Sequence, residues 1–171
     1  MEPEELWKEL HYLFDTDDGS LPEIWIMNLS HEGVVAIFAS LQLACGAIAN
    51  SAVFWSVEDQ QEQPINSVPN AADLVVQARA EPFHFVCQSL TYEGVVLPDI
   101  GVFIFGDQIA LDYRMGKEWD AVKLNALFGI LKEVKRIDSG ARISIEDYAL
   151  PQVRKQFETT WRRFSEAGNA V

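Results

Sequence analysis

The spacing of apolar and polar positions divides the chain into a series of elements. Leu6, Trp7, Leu10, Leu13 and Phe14 recur at helical intervals behind Pro3, and Glu2, Glu4 and Glu5 suit the positive end of a helix. A first helix is therefore predicted over residues 3–14, ended by the turn-forming run Asp15-Thr16-Asp17-Asp18-Gly19-Ser20. Ile24, Trp25, Ile26 and Met27 dominate residues 23–29, which read as a strand buried on much of both faces. Ser30 is placed to cap a second helix, with Val34, Val35, Ile37, Phe38 and Leu41 on one stripe and Gly46 as its stop. A strand over 52–57 follows, so strand, helix and strand succeed one another with enough chain for a crossover.

Residues 58–70, rich in Gln and Pro and without a sustained period, read as the longest loop. Strand-like stretches at 74–80 and 83–90 flank Glu81-Pro82, where the proline cannot donate to a central ladder. Residues 101–105 and 108–113 embrace Gly106-Asp107, a hairpin whose loop is of the Gly-X kind associated with type II′ turns. After Gly116 a long helix turns Trp119, Val122, Ala126, Leu127, Ile130, Leu131 and Val134 inward and Lys123, Lys132, Lys135 and Arg136 outward, ending at Asp138-Ser139-Gly140. A short strand over 142–146 leads to a last helix with Leu150, Val153, Phe157, Trp161 and Phe164 inside and Arg154, Lys155, Arg162 and Arg163 outside. The order predicts an α+β fold: a mostly antiparallel sheet of six to seven strands with four helices packed on it, one layer pair forming a single domain over 1–171.

Composition adds little to this, but charge adds more. With 171 residues, 49% hydrophobic and 23% charged, the chain has an ordinary globular make-up and can build its core from side chains alone. Cys45 and Cys87 both sit in apolar runs, where a cysteine reads as a small buried hydrophobe, so free, inert thiols and no disulfide are expected. Met1 runs straight into acidic residues without the basic and apolar regions of a signal peptide, and the apolar run 33–49 is too short and too polar to span a bilayer, so a cytoplasmic protein is expected. The net charge of −13 is uneven: residues 1–75 hold thirteen acids and one base, residues 76–171 thirteen acids and twelve bases, so the two parts carry −12 and −1. Such a field repels phosphate backbones and anionic lipid and steers cationic partners, which argues against nucleic acid and membrane and for a basic protein partner.

The chemistry-bearing residues are few. The chain lacks G-x-G-x-x-G, G-x-x-x-x-G-K-[ST] and H-E-x-x-H motifs. Asp15 to Gly19 resembles the start of a calcium loop, but its Gly comes one position early and the twelfth residue is Ile26, so it reads as a solvated turn. No spacing among His11, His31, His84, Cys45 and Cys87 fits a zinc site, and His84 and Cys87, three apart on a strand, point to opposite faces. No catalytic residue, metal or cofactor is assigned.

One strand-to-helix junction gathers Asp112, Tyr113, Arg114 and Trp119. These residues read either as a polar anchor for a ligand or, as aromatics at such junctions usually pack, as an Asp112–Arg114 ion pair with Tyr113 and Trp119 in the core.

Three function classes follow. The first is a non-enzymatic acidic binding protein, most concretely a cytosolic immunity-type inhibitor that covers the cationic site of a basic toxin or effector with Asp15, Asp17, Asp18, Glu58, Asp59 and Glu62. The second is an enzyme working through Asp112, Arg114 or His84. The third is a structural or adaptor subunit, homo-oligomeric or otherwise, with Trp7 and Trp161 at an interface. The first depends on the acids converging on one edge of the fold.

Overall fold

In the computed structural model, residues 1–49, 52–146 and 150–167 are described. Strands β1 (Glu23–Met27), β2 (Cys45–Ile48), β5 (Phe83–Tyr92), β6 (Val95–Val96), β7 (Ile100–Ile104), β8 (Ile109–Tyr113) and β9 (Arg142–Ile145) form a seven-stranded antiparallel sheet. Its order is β2-β5-β7-β8-β1-β9, with β6 paired onto the far end of β5. Strands β3 (Val53–Ser56) and β4 (Gln61–Pro64) make a separate small hairpin. Helices α1 (Pro3–Leu10), α2 (His31–Ala44), α4 (Ala121–Ile137) and α5 (Pro151–Glu166) pack on the sheet, and the short α3 (Ala71–Val76) packs beside α2. The α+β fold read from the sequence is the fold observed. Among the described residues no helix is long and apolar enough to cross a membrane.

Local chemistry explains the helix starts. Proline occupies the first turn of α1 and of α5, where its missing N–H removes nothing from the helix ladder. Ser30, Asn70 and Asp120 cap α2, α3 and α4 by accepting from the N–H groups of Gly33, Asp73 and Lys123. Asp138, just past α4, accepts from both the N–H and the hydroxyl of Ser30 at 2.8 Å, so the end of one helix holds the start of another. Acidic α1 meets the basic side of α5: Arg163 reaches both Glu5 and Glu9, and Thr160 donates to Glu9. Part of the sequence's charge asymmetry is thereby neutralised across a helix pair.

Several expectations change. The apolar segment 74–80 is not a strand: α3 runs through Val76, because the Asn70 cap and contacts with α2 favour a helical turn. Residues 58–70 are not one loop, since they contain β4 and a 3₁₀ turn over Ile65–Ser67. The strand at Val53–Ser56 lies outside the main sheet; β2, leaving α2 without a turn, takes the edge position beside β5 instead. The Gly106 hairpin forms, but Gly106 does not take the positive φ of a type II′ turn. A second hairpin, β5–β6, instead turns through Glu93 (φ 47°) and Gly94 (φ 81°), the two positive values of a type I′ turn. Val122, expected inward, is exposed, as is Leu150.

The cysteines are not free thiols. Cys45 and Cys87 form a disulfide, with Cα atoms 5.6 Å apart. The sequence places them 42 residues apart in unrelated apolar runs, and only the pairing of β2 with β5 brings them together.

Candidate functional site

Because side chains alternate along a strand, the sheet has two faces of different character. One carries Ile24, Ile26, Phe85, Ile100, Val102 and Leu111, all essentially inaccessible beneath the helices. The other carries Glu23, Trp25, Met27, His84, Val86, Phe103, Asp112 and, just beyond β7, Phe105, and solvent reaches each of them. Strand β1 is therefore buried on one face and open on the other, not on both.

Register builds this open face in rows. His84, Phe103, Ala110 and Trp25 are successive partners across β5, β7, β8 and β1. Phe105 stacks on Phe103 with ring centroids 4.6 Å apart and planes within 10°, and on Trp25 at 5.6 Å and 27°. Between these rings lies Ala110, whose small side chain is almost fully covered. The three rings form a continuous, half-buried stack in which the ring faces cover one another. Trp25 donates its indole N–H to Glu23 at 3.0 Å, which fixes the ring and sets a carboxylate beside the stack.

In the next row stand Val86, Gly101, Asp112 and Glu23. The Asp112 carboxylate lies over Gly101, where an added Cβ would collide with it, and reaches across β7 to His84 Nε2 at 2.7 Å. Glycine at 101 is what lets a residue of β8 touch a residue of β5. The hydrogen bond that His84 donates to the Asp112 carboxylate raises the His84 pKa above the ordinary imidazole value, against the smaller opposing effect of partial burial. Chemically the face holds a stack of three rings, a carboxylate that accepts from the Trp25 indole and a carboxylate–imidazole pair.

The residues singled out from sequence are divided by the structure. Asp112 and His84 come together; Arg114 does not join them, pairing with Asp17 at 3.0 Å beyond the end of β8. The expected Asp112–Arg114 ion pair is thus replaced by two others. Arg114 and Asp17 border a cavity of about 370 Å³ with Asp99 and Glu118. Tyr113 and Trp119 are core residues: Tyr113 stacks on Phe14 and donates to the Leu13 carbonyl, and Trp119 donates to the Arg114 carbonyl. Burial pushes the Tyr113 phenol far up. Trp161 is buried and Trp7 is packed against the core, so neither offers an exposed aromatic anchor.

All six loop acids are exposed, but they do not gather on one edge. Asp15, Asp17 and Asp18 lie by the end of β8 at Tyr113, through the Asp17–Arg114 pair. Glu58, Asp59 and Glu62 belong to the β3–β4 hairpin, which is tied through Trp55 to Glu81 just before β5, beside Ile104 and Ile109 at the other end of the strands. A strand of this length separates the groups by about 15 Å. Several are also engaged: Asp15 with His11, Asp18 with Ser20, Glu58 with Arg79 and Asp59 with Ser56.

Sequence reasoning missed Trp25, Phe103, Phe105 and Glu23. Their signal was the shared odd parity of Glu23, Trp25 and Met27, and of Phe103 and Phe105, but register was needed to bring the two strands' sets together. Compared with protein-family models, with curated proteins and with solved structures, the chain matches none, so its function must be argued from the site itself.

Proposed function

We propose that the protein is a non-enzymatic acidic binding protein whose partner is a basic protein, most concretely an immunity-type inhibitor covering the cationic site of a toxin or effector. The acids do not converge on one edge, so what supports this reading is the net charge of −13 together with exposed acids at both ends of the strands. Asp15, Asp17 and Asp18 stand at one end of the strands and Glu58, Asp59 and Glu62 at the other, so negative groups are exposed at both ends of the sheet. In a chain of net charge −13, such a field speeds encounter with a cationic surface.

A cytosolic setting belongs to the same proposal and carries a condition. Disulfides are rare in reducing compartments, so Cys45–Cys87 must resist reduction there, and the complete burial of Cys87 favours that. The test is affinity capture followed by stopped-flow association with the captured protein at several ionic strengths. The reading expects a basic protein whose association rate falls steeply with salt and falls again when Asp18 and Glu62 are reversed to lysine. Binding that ignores both salt and charge reversal overturns it.

A further inference from the structure

Resting on that reading, we propose that the outer face of the β3–β4 hairpin is where the basic partner is held, and that it takes a lysine or arginine side chain at Trp55, between the carboxylates of Glu62 and Glu81. Strand alternation gives the hairpin two faces. Phe54 and Ser56 turn inward, Phe54 meeting Phe83 in the core, while Trp55 and Val57 turn outward and keep 37% and 43% of their accessible surface. Register then assigns Trp55 its neighbours. On one side it stands opposite Glu62 of β4. On the other, the bridge of Ser56 with Ala80 and the bond from the Glu81 N–H to the Trp55 carbonyl set Glu81 opposite it. Residues paired in this way share a face at about 5 Å, so an exposed indole has a glutamate on each flank.

The charges of this face select a cation. Glu62 and Glu81 are both exposed, and among the described residues neither side chain enters an ion pair or a hydrogen bond. Arg79, the base in the next row beside Val57, is held by Glu58 at 2.7 Å. Trp55 is in no ring pair among the described residues, unlike its neighbour Phe54. An ammonium or guanidinium set against the indole gains from its π electrons and can donate to either carboxylate, while the aliphatic stem behind it covers Val57. Tryptophan is also the residue type most enriched among the anchors of protein interfaces, and here it stands on a hairpin outside the main sheet, where the core does not require it. A nucleic acid would bring its phosphates onto Glu62 and Glu81. A second copy of this chain would bring another net −13 onto the same surface.

The experiment uses the full chain and deca-lysine, titrated at low salt by calorimetry and by the indole N–H resonances of the five tryptophans. The Trp55 resonance should move furthest. Trp55→Ala, which changes no charge, and Glu62→Gln with Glu81→Gln should each weaken the peptide about threefold or more. Glu4→Gln with Glu118→Gln removes two exposed acids elsewhere and should weaken it by less than about twofold. Each variant is checked for an unchanged denaturation midpoint, and Trp55→Leu takes the place of Trp55→Ala if the latter lowers it. Equal weakening by the two glutamine pairs, with the Trp55 variant binding as the wild type does, overturns the hairpin site and leaves the basic-partner reading standing, because charge alone then holds the peptide. A largest shift at any other indole overturns the site in the same way. No binding of the peptide rejects both. Self-association at the titration concentrations that is abolished by the Trp55 variant also overturns the proposal, since it makes a second copy the occupant.

Discussion

The two faces of the sheet are built from alternate residues of the same strands and obey different rules. On the inner face, Ile24, Ile26, Phe85, Ile100, Val102 and Leu111 are shielded by helices and differ little in chemistry. On the outer face aromatic rings, carboxylates and an imidazole lie in reach of water, and their contacts run sideways across strands instead of up into helices. The inner face meets the requirement of folding, which is apolar area removed from water. The outer face holds polar groups and rings that folding alone does not ask for, and it is there that substitutions should separate stability from electrostatics.

The largest effect expected from this contrast is on the inner face. Phe85→Ala removes a fully buried ring that meets Phe38 edge-on at 5.7 Å, and should cost about 3–5 kcal/mol in a denaturant titration. A loss below about 1 kcal/mol would mean that the inner face is less well packed than its burial indicates. Next comes the disulfide, whose Cys87 also lies on the inner face. Closing a loop across a separation of 42 residues restrains the unfolded chain by about 4 kcal/mol in the chain-entropy treatment, so Cys45→Ser with Cys87→Ser should lower the denaturant midpoint by the equivalent of about 2–4 kcal/mol. An unchanged midpoint under reducing conditions would show that β2 is held by its ladder to β5 alone.

How much of this was legible beforehand depended on range. The β7–β8 hairpin was readable because turn and alternation lie within a dozen residues. Segment 74–80 was misread because Leu74, Val75 and Val76 form an apolar run that suits strand or helix, and the contacts deciding it come from α2. Strand β2 was missed because Cys45-Gly46-Ala47-Ile48 follows α2 with no intervening turn and is defined only by its partner 40 residues on. The same limit applies to the site. Asp112 and His84 were both singled out, yet their contact depends on Gly101, a residue with no chemistry of its own.

That glycine gives a prediction of intermediate size. Gly101→Ala puts a methyl group into the space of the Asp112 carboxylate, which must swing away from His84 or displace β7. Overpacking of this kind costs roughly 1–3 kcal/mol. The same variant should lower the His84 pKa, read from its ring-proton shifts against pH. A loss of stability with the His84 titration unmoved would mean that the collision is relieved by the backbone and the pair survives.

The smallest effect on stability, and the cleanest on electrostatics, belongs to Asp112→Asn. The His84 and Asp112 side chains keep 36% and 21% of their accessible surface, so their pairing is screened and should contribute less than about 1 kcal/mol. Its sign is nevertheless fixed. Because Asp112 raises the His84 pKa on folding, the stabilisation is fully present below the unfolded-state value near 6.5 and fades as pH rises through the higher folded value. In the asparagine variant the His84 titration should move down, and the small excess of stability seen in mildly acidic solution relative to alkaline solution should disappear. If the variant instead costs several kcal/mol at every pH, Asp112 braces β7 against β8 as the inner-face residues brace the core, and the division of labour between the two faces fails at this row.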